Sequence, residues 1–315
     1  MSRKRRKWRT LIKDIVGKNS ILAIVFGLTL FMTCDQEFSD PNRYDFYYKE
    51  EIYDIPSNYK SPAKADDRAC KILFLGNSLT YYNAQPYILQ MLAEKGQKRV
   101  FIDKHCEPGA QMDYHRWSQL SRRKIKEQKW DFVILQEAIA EIISPESHEM
   151  VLPFIEALKS FIYANNPDTR IFYFMPYANK NGYDYSFMHI SYQEHQLNIT
   201  VGTKIFAETA DLMIAPLGQA WAYVRAGRPD IELYNADEAH PSYAGSYLGA
   251  AVYYAAIFQQ AADTLNYTGM SDSVTTVYLR QVASRTVLDS LAVWRIPPLD
   301  DIEKWDISPY DDLFD

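Results

Sequence analysis

The sequence predicts an α/β protein, a three-layer α/β/α sandwich in which helices cover both faces of a five-stranded, mostly parallel sheet. Two observations carry this prediction. Short continuous runs of β-branched and other apolar residues alternate along the chain with longer amphipathic stretches. Apolar runs of this kind are typical of parallel strands buried on both faces. The repeated alternation of strand and helix favours a parallel sheet for the same chain.

The five apolar runs are the predicted strands, at residues 71–75, 99–103, 130–135, 170–175 and 211–215. The predicted helices occupy residues 85–96, 113–126, 146–165, 185–209, 219–226, 241–265 and 272–294. These elements form one predicted domain over residues 70–297. It is followed by an acidic tail at residues 298–315, which we expect to be solvated.

Composition excludes several classes of protein. The chain has 315 residues, of which 47% are hydrophobic and 23% charged, as in an ordinary globular protein with a packed core. Its three cysteines are too few for a disulfide framework or a four-cysteine zinc site. Residues 1–33 carry a charge of +7 and the rest of the chain −13. An acidic body argues against binding to a phosphate backbone, so no nucleic-acid partner is expected.

The amino-terminal segment has the pattern of an export signal. Basic residues are followed by an uncharged run that ends at Cys34. Residues 20–33 would span about 21 Å as a helix, less than the roughly 30 Å of a bilayer core, so a permanent span is disfavoured. The residues before Cys34 resemble a bacterial lipoprotein signal, although Thr33 stands where Gly, Ala or Ser is usual.

This resemblance implies a signal peptide at residues 1–33 and lipidation of Cys34. The protein would then be anchored to a membrane in the cell envelope, facing the periplasm or the outside. The alternative is an uncleaved anchor or cleavage elsewhere. Residues 34–69 are predicted to be a tether, partly packed on the domain because they are rich in aromatic residues.

Candidate functional residues follow the predicted strands, because ligands of open parallel sheets gather at the carboxyl ends of the strands. Gly76-Asn77-Ser78 follows the first strand, and a serine on such a turn can present its hydroxyl as a nucleophile. The alternative is that Ser78 only caps a helix. His240, three residues after Asp237 and directly before Pro241, is a candidate base that the aspartate would orient.

Gly76-Asn77-Ser78 together with Asp237-x-x-His240-Pro241 resembles the SGNH (GDSL-type) esterase/lipase superfamily, over residues 70–265. The similarity is strongest to a bacterial subgroup with Gly-Asn-Ser and Leu-Gln-Glu motifs. It implies an SGNH-hydrolase-like, flavodoxin-like fold in which Ser78 attacks, His240 is the base and Asp237 orients it.

The same resemblance implies that the oxyanion is bound by the Ser78 and Gly109 N–H groups and by the side chain of Gln136. Gln136 stands where the family usually has asparagine, and Asn77 stands where it usually has aspartate. No metal and no organic cofactor are implied.

The expected activity is that of a serine carboxylic-ester hydrolase that removes short acyl groups, such as O-acetyl, from a small-molecule or glycan ester. Two alternatives stay open: a non-catalytic glycan-binding lipoprotein on the same scaffold, and a lysophospholipase-type lipase. The sequence leaves the oligomeric state undetermined.

A second cluster, His105, Cys106, Asp113 and His115, suggests a metal site or a thiol nucleophile, but its spacing fits no zinc motif. Asn77, Asp113 and His115 are instead candidate cleft residues. Cys70 and Cys106 are expected to be free thiols, because parallel neighbouring strands would hold them about 15–20 Å apart. Tyr81 and Tyr82 are predicted to line the cleft or pack near it. Three histidines are predicted to be surface or structural residues: His148, His189 and His195.

Overall fold

The computed structural model describes residues 65–185, 188–300 and 303–307. The predicted signal peptide, its lipidation site Cys34 and most of the tether lie outside the described residues and stay predictions. Within the described part, no helix combines the length and apolar character needed to cross a membrane.

Five parallel strands form the central sheet in the order β2-β1-β3-β4-β7. Their bounds are β1 Cys70–Gly76, β2 Val100–Cys106, β3 Phe132–Leu135, β4 Arg170–Phe174 and β7 Met213–Ala215. The predicted α/β fold is confirmed, and this strand order is that of flavodoxin-like sheets. Strands β1 and β3 are buried along their whole length, as their uninterrupted apolar sequences require.

Helices cover both faces of this sheet. In chain order they are α1 Ser78–Tyr81, α2 Gln85–Lys95, α3 Met112–Trp117, α4 Gln119–Glu127, α5 Ile139–Ile143, α6 Pro145–Asn165, α7 Tyr192–Thr209, α8 Leu217–Gly227, α9 Tyr243–Phe258 and α10 Ser273–Leu288. Contacts group α2, α8, α9 and α10 on one face and α3 to α7 on the other. Helix α9 is buried from Gly245 to Phe258, which explains why its sequence is apolar all round.

Four predicted helices need correction, of which the one predicted at 272–294 ends already at Leu288. The first part of the predicted helix at 185–209 is an antiparallel hairpin of β5 Tyr183–Tyr185 and β6 Met188–Ile190, and α7 starts only after a capping box at Ser191. The helix predicted at 113–126 is broken at Ser118, whose side chain caps α4. Helix α9 is shorter at both ends than predicted, because Ser242 caps its start and Gln259, with φ 50°, ends it.

The predicted solvated tail needs correction at residues 303–307. Trp305 is only 4% exposed and its carbonyl accepts a hydrogen bond from Arg99 N–H (2.8 Å). Ile307 N–H donates to the Gln97 carbonyl (2.7 Å), and the Asp306 carboxylate pairs with the buried ammonium of Lys98. This segment therefore packs on the domain at the amino-terminal end of the sheet, where β2 begins.

The two cysteines of the described residues are free thiols. Cys70 pairs in register with Val100, and Cys106 pairs with Gly76 at the other end of the same two strands. Six strand positions therefore separate the two thiols, which is too far for a disulfide.

Candidate active site

The turn that carries Ser78 is held by the side chain of Asn77. Ser78 is the first residue of α1, and Asn77 caps that helix by accepting a hydrogen bond from Leu79 N–H at its Oδ1 (3.1 Å). The Asn77 Nδ2 group donates to the carbonyl of Ala110 in the loop after β2 (2.9 Å). Asn77 is 5% exposed. Asn77 therefore holds the turn at Ser78 against the loop after β2 and does not line a cleft, in contrast to the sequence-based expectation.

Ser78, His240 and Asp237 are joined by hydrogen bonds. The Ser78 Oγ atom lies 2.9 Å from His240 Nε2, and His240 Nδ1 lies 2.7 Å from Asp237 Oδ2. The carboxylate of Asp237 can only accept, so Nδ1 carries the proton and Nε2 is the free base that faces the serine. This is the arrangement that a serine needs in order to lose its proton to an imidazole.

The Asp237–His240 loop holds its own aspartate in place. The Oδ1 atom of Asp237 accepts hydrogen bonds from Ala239 N–H (3.1 Å) and His240 N–H (2.9 Å), leaving Oδ2 for the imidazole. Burial tends to raise the pKa of Asp237, but these hydrogen bonds and the one from the His240 ring outweigh it and lower the pKa below 3.8. Asp237 is therefore ionised at neutral pH.

An aromatic stack covers the imidazole. The Tyr82 ring lies nearly parallel to the His240 ring, with their centroids 4.3 Å apart and an interplanar angle of 11°. Tyr81 stacks in turn against Tyr82 at 5.8 Å. Both tyrosines are half-buried. Of these two tyrosines, Tyr82 makes the direct ring contact with His240. This contact fixes the orientation of the imidazole ring.

Asn83 is a residue that sequence reasoning missed. Its Nδ2 group donates to the carbonyl of Pro241 and to Ser246 Oγ, at 2.9 Å each. Asn83 has φ 51°, a left-handed conformation in which asparagine is enriched. It thereby connects the segment after Ser78 to the segment after His240. An asparagine shortly after the nucleophile was the available signal, but its partner lies 158 residues away.

Gln136 does not have the role predicted for it. The residue is fully buried, and its Oε1 atom accepts from Asn77 N–H (2.7 Å) and from Thr80 Oγ–H (3.1 Å). Its Nε2 group donates to the Glu137 carbonyl (2.8 Å). A side chain enclosed in this way cannot meet a substrate oxygen. Its Oε1 atom instead fixes the Asn77 backbone before Ser78 and the Thr80 side chain after it.

The close approach of Gln136 also explains Gly76. A Cβ atom on Gly76 would lie 2.7 Å from Gln136 Oε1 and 2.9 Å from Thr80 Oγ1. Real Cβ atoms do not approach other atoms this closely, so any larger residue would displace the glutamine. The glycine of Gly76-Asn77-Ser78 therefore serves the packing beneath the nucleophile turn.

Gly109 is exposed at the tip of the loop after β2, with φ +68°. A Cβ atom there would have no protein atom within 4 Å. Glycine is therefore favoured at this position because the backbone is left-handed, and not because a larger side chain would clash. The Asn77–Ala110 hydrogen bond holds the residue next to Gly109 against the nucleophile turn. The role of the Gly109 N–H as an oxyanion donor stays a prediction.

The two histidines of the second cluster belong to a buried hydrogen-bonded chain that passes through Ser121. His115 Nε2 lies 3.0 Å from the Gly76 carbonyl, and its Nδ1 lies 2.9 Å from Ser121 Oγ, which contacts His105 Nδ1 at 2.7 Å. Burial lowers the pKa of His115 to about 3 and that of His105 to about 4, so both rings are neutral at pH 7.

Because the Gly76 carbonyl can only accept, His115 donates from Nε2 and accepts the Ser121 proton at Nδ1. Ser121 Oγ in turn accepts from His105 Nδ1–H. His115 is completely buried, so it supports the end of β1 and does not line a cleft as predicted. Among the residues that the structure describes, no group of three or more His, Cys, Asp or Glu is arranged to hold a metal ion.

Asp113 is half-buried at the start of α3, and its carboxylate accepts from Tyr114 N–H (2.6 Å). Burial raises its pKa above 3.8. Within the described residues, no hydrogen bond joins Asp113 to Ser78, His240 or Asp237. The remaining histidines have structural positions: His148 bonds to the Ile142 carbonyl (2.7 Å), His189 pairs with Asp184 (2.8 Å), and His195 is buried against Tyr183.

Comparison with solved structures finds a DUF4886 family protein and, at lower similarity, proteins described as SGNH or GDSL-like hydrolases. The DUF4886 family protein, from Bacteroides uniformis, superposes with a TM-score of 0.60 at 16% identity, over 70% of this chain and 95% of that one. The two share a fold.

Two further structures are less similar. A candidate SGNH hydrolase from Slackia heliotrinireducens has a TM-score of 0.47 at 27% identity, over 58% of this chain and 95% of its own. An acetyl xylan esterase from Geobacillus stearothermophilus has a TM-score of 0.39 at 20% identity, over 57% and 90%. No protein-family model and no curated protein matches the chain.

Proposed function

We propose that this protein is a serine carboxylic-ester hydrolase with Ser78 as its nucleophile. The observation that carries the proposal is the pair of hydrogen bonds linking Ser78 Oγ to His240 Nε2 (2.9 Å) and His240 Nδ1 to Asp237 Oδ2 (2.7 Å). These groups come from loops at the carboxyl-terminal edge of the sheet, where open α/β sheets bind their ligands.

In the proposed reaction, His240 Nε2 removes the Ser78 hydroxyl proton as Oγ attacks the ester carbonyl carbon. The imidazolium that forms is stabilised by the ionised Asp237. Collapse of the tetrahedral intermediate breaks the bond to the alcohol, which leaves with the proton from Nε2. Water then loses a proton to the same nitrogen and attacks the acyl carbon. The second tetrahedral intermediate collapses and releases the carboxylic acid, and Ser78 Oγ takes back the proton from Nε2.

The Ser78 and Gly109 N–H groups are the proposed donors to the oxyanion. Loss of one such donor commonly lowers turnover by about 10²–10³-fold. Gln136, enclosed beneath the turn, contributes by fixing the backbone at Asn77 and not by touching the substrate.

We propose short acyl groups, such as acetyl, on a bulky acceptor such as a glycan as the substrate class. The support is the openness of the site: the side chains of His240 and Asp237 are 30% and 46% exposed, and Gly109 is exposed as well. An open site admits a large acceptor, whereas a long acyl chain needs an apolar pocket that would bury most of it.

Hydrolysis of p-nitrophenyl acetate by the purified full-length chain tests the proposal. We expect Ser78→Ala to lower kcat by at least about 10³-fold, because the covalent step is lost. Ser160→Ala is the matched control, since Ser160 is exposed on α6 and should change nothing. A Ser78→Ala variant as active as the wild type would contradict the proposal and favour the glycan-binding alternative. Faster cleavage of dodecanoyl than acetyl esters would contradict the short-acyl preference.

A further inference from the structure

Glu137, directly after Gln136, is a completely buried carboxyl group that the proposed reaction does not use. Its Oε2 atom accepts a hydrogen bond from Met112 N–H (3.1 Å), and its Oε1 atom accepts from Ala138 N–H (2.7 Å). Met112 is the first residue of α3, so this bond reaches from the end of β3 to the end of the loop that follows β2.

That loop, residues 107–111, carries Gly109 and is fixed at several points around it. Glu107 N–H donates to the Gly76 carbonyl (3.3 Å), and Ala110 N–H donates to the Glu107 carbonyl (3.1 Å). The Ala110 carbonyl accepts from Asn77 Nδ2 (2.9 Å). Glu137 supplies the anchor on the carboxyl-terminal side of the loop. Gly109 stands at the exposed tip between these anchors.

We propose that Glu137 is a positioning residue that, in its ionised form, holds the Gly109 amide at the place where the oxyanion develops. This inference rests on the proposed hydrolase function. The adjacent residues Gln136 and Glu137 then each hold one segment of the site. Gln136 fixes the backbone before Ser78, and Glu137 fixes the loop at residues 107–111. A displaced donor lowers kcat, because an oxyanion donor stabilises the charge only from a distance of about 2.7–3.1 Å.

The hydrogen bonds explain why the ionised form is required. Both carboxyl oxygens accept a hydrogen bond from an N–H donor. A proton on either oxygen occupies one of its lone pairs and removes the negative charge, so protonation weakens the hold on Met112 N–H or Ala138 N–H. A carboxylate accepting from backbone N–H groups also forms stronger hydrogen bonds than a neutral acid does.

The surroundings of Glu137 bring its ionisation into the range of an assay. Burial raises the pKa of Glu137 to about 8, against the two backbone hydrogen bonds, which lower it. The groups that face it are Glu141 on α5 and Asp113 on α3, which raise the pKa further, and the Tyr173 hydroxyl on β4. Because the pKa is raised, the ionised form prevails only above about pH 8, and the loop is held most firmly there.

The experiment measures acetate release from a short acetyl ester by the full-length chain between pH 6 and 10. We expect the wild-type kcat to rise several-fold through about pH 8. Glu137→Gln keeps the shape of the side chain but turns one acceptor into a donor. We expect this variant to lose the step at about pH 8 and to have a kcat at least about 10-fold lower at pH 9, with KM within threefold of the wild type.

Glu141→Gln provides an independent test that leaves Glu137 in place. Removal of the neighbouring negative charge should move the midpoint of the step to lower pH. Glu156→Gln is the matched control, because Glu156 is exposed on α6 and should leave the profile unchanged. Circular dichroism and melting temperature verify that each variant folds, and Glu141→Gln decides the question if Glu137→Gln does not fold.

A pH profile of Glu137→Gln that equals that of the wild type would overturn the inference, as would a midpoint unmoved by Glu141→Gln. Neither result would contradict the proposed hydrolase function, which fails if Ser78→Ala is as active as the wild type. The two hypotheses are therefore separately testable on the same assay.

Discussion

The contact between Tyr82 and His240 gives the aromatic ring a role beyond packing. The two rings are parallel within 11° and their centroids are 4.3 Å apart, so the face of the tyrosine lies against the imidazole. In the proposed reaction the imidazole becomes a cation each time it removes a proton. A cation over an aromatic face is stabilised by about 0.5–2 kcal/mol, and this stabilisation appears only when the charge has formed.

Tyr82→Leu therefore tests whether the ring assists the reaction. Leucine keeps an apolar side chain but has no aromatic face, so we expect kcat to fall by roughly 2–30-fold while KM changes little. Tyr82→Phe is the matched control, since it retains the ring and should stay within twofold of the wild type. Equal losses in the two variants would show that the hydroxyl, and not the ring face, matters.

The short turn at Tyr82–Ala84 that follows helix α1 connects the two separate segments of the triad. Asn83 donates to the Pro241 carbonyl, one residue after His240, and to Ser246 Oγ in α9. Ser246 Oγ–H donates in turn to the Tyr82 carbonyl (3.2 Å). These bonds fix helix α1, which carries the proposed nucleophile, relative to the loop that carries the proposed base.

Asn83→Gly removes both side-chain hydrogen bonds but tolerates the left-handed backbone, so it isolates the loss of the connection. We expect kcat for the acetyl ester to fall by roughly 5–50-fold, because misplacement of a base relative to its nucleophile is costly. The control is Ala84→Gly, at φ 53° with no side-chain bonds to lose. A larger loss in the control than in Asn83→Gly would contradict this account.

The strands, and helices such as α2, α6 and α8, could be predicted from the sequence because each is encoded by a local pattern. The hairpin before α7 could not, since its two three-residue strands are too short for their alternation of apolar and polar residues to be told from the start of a helix. Candidate catalytic residues could be proposed because Ser78 and the Asp237–His240 pair lie in short motifs. The role of Gln136 could not, because its partner Asn77 lies 59 residues away and meets it only through the pairing of β1 with β3.

The two ends of the sheet have different tasks. The proposed site lies at the carboxyl-terminal ends of the strands, whereas residues 303–307 pack at the amino-terminal ends. There the Trp305 ring contacts Phe132 at the start of β3 and Phe258 at the end of α9, with ring centroids 5.7 and 6.1 Å apart. Its neighbour Asp306 pairs with Lys98, which is only 1% exposed. This segment therefore closes the apolar core far from Ser78.

Trp305→Ala separates stability from activity across the sheet. Loss of a buried tryptophan costs about 3–5 kcal/mol, which corresponds to a decrease in Tm of about 6–20 °C for a domain of this size. Ile307→Ala is the control, because Ile307 is 39% exposed and its backbone bond to Gln97 would remain. We expect thermal unfolding to show the large decrease only for Trp305→Ala, while kcat at 20 °C stays within twofold of the wild type for both. If Trp305→Ala lowered kcat without lowering Tm, the amino-terminal end of the sheet would have to be coupled to the triad, because no contact of Trp305 reaches Ser78, His240 or Asp237 in the part of the chain that the structure describes.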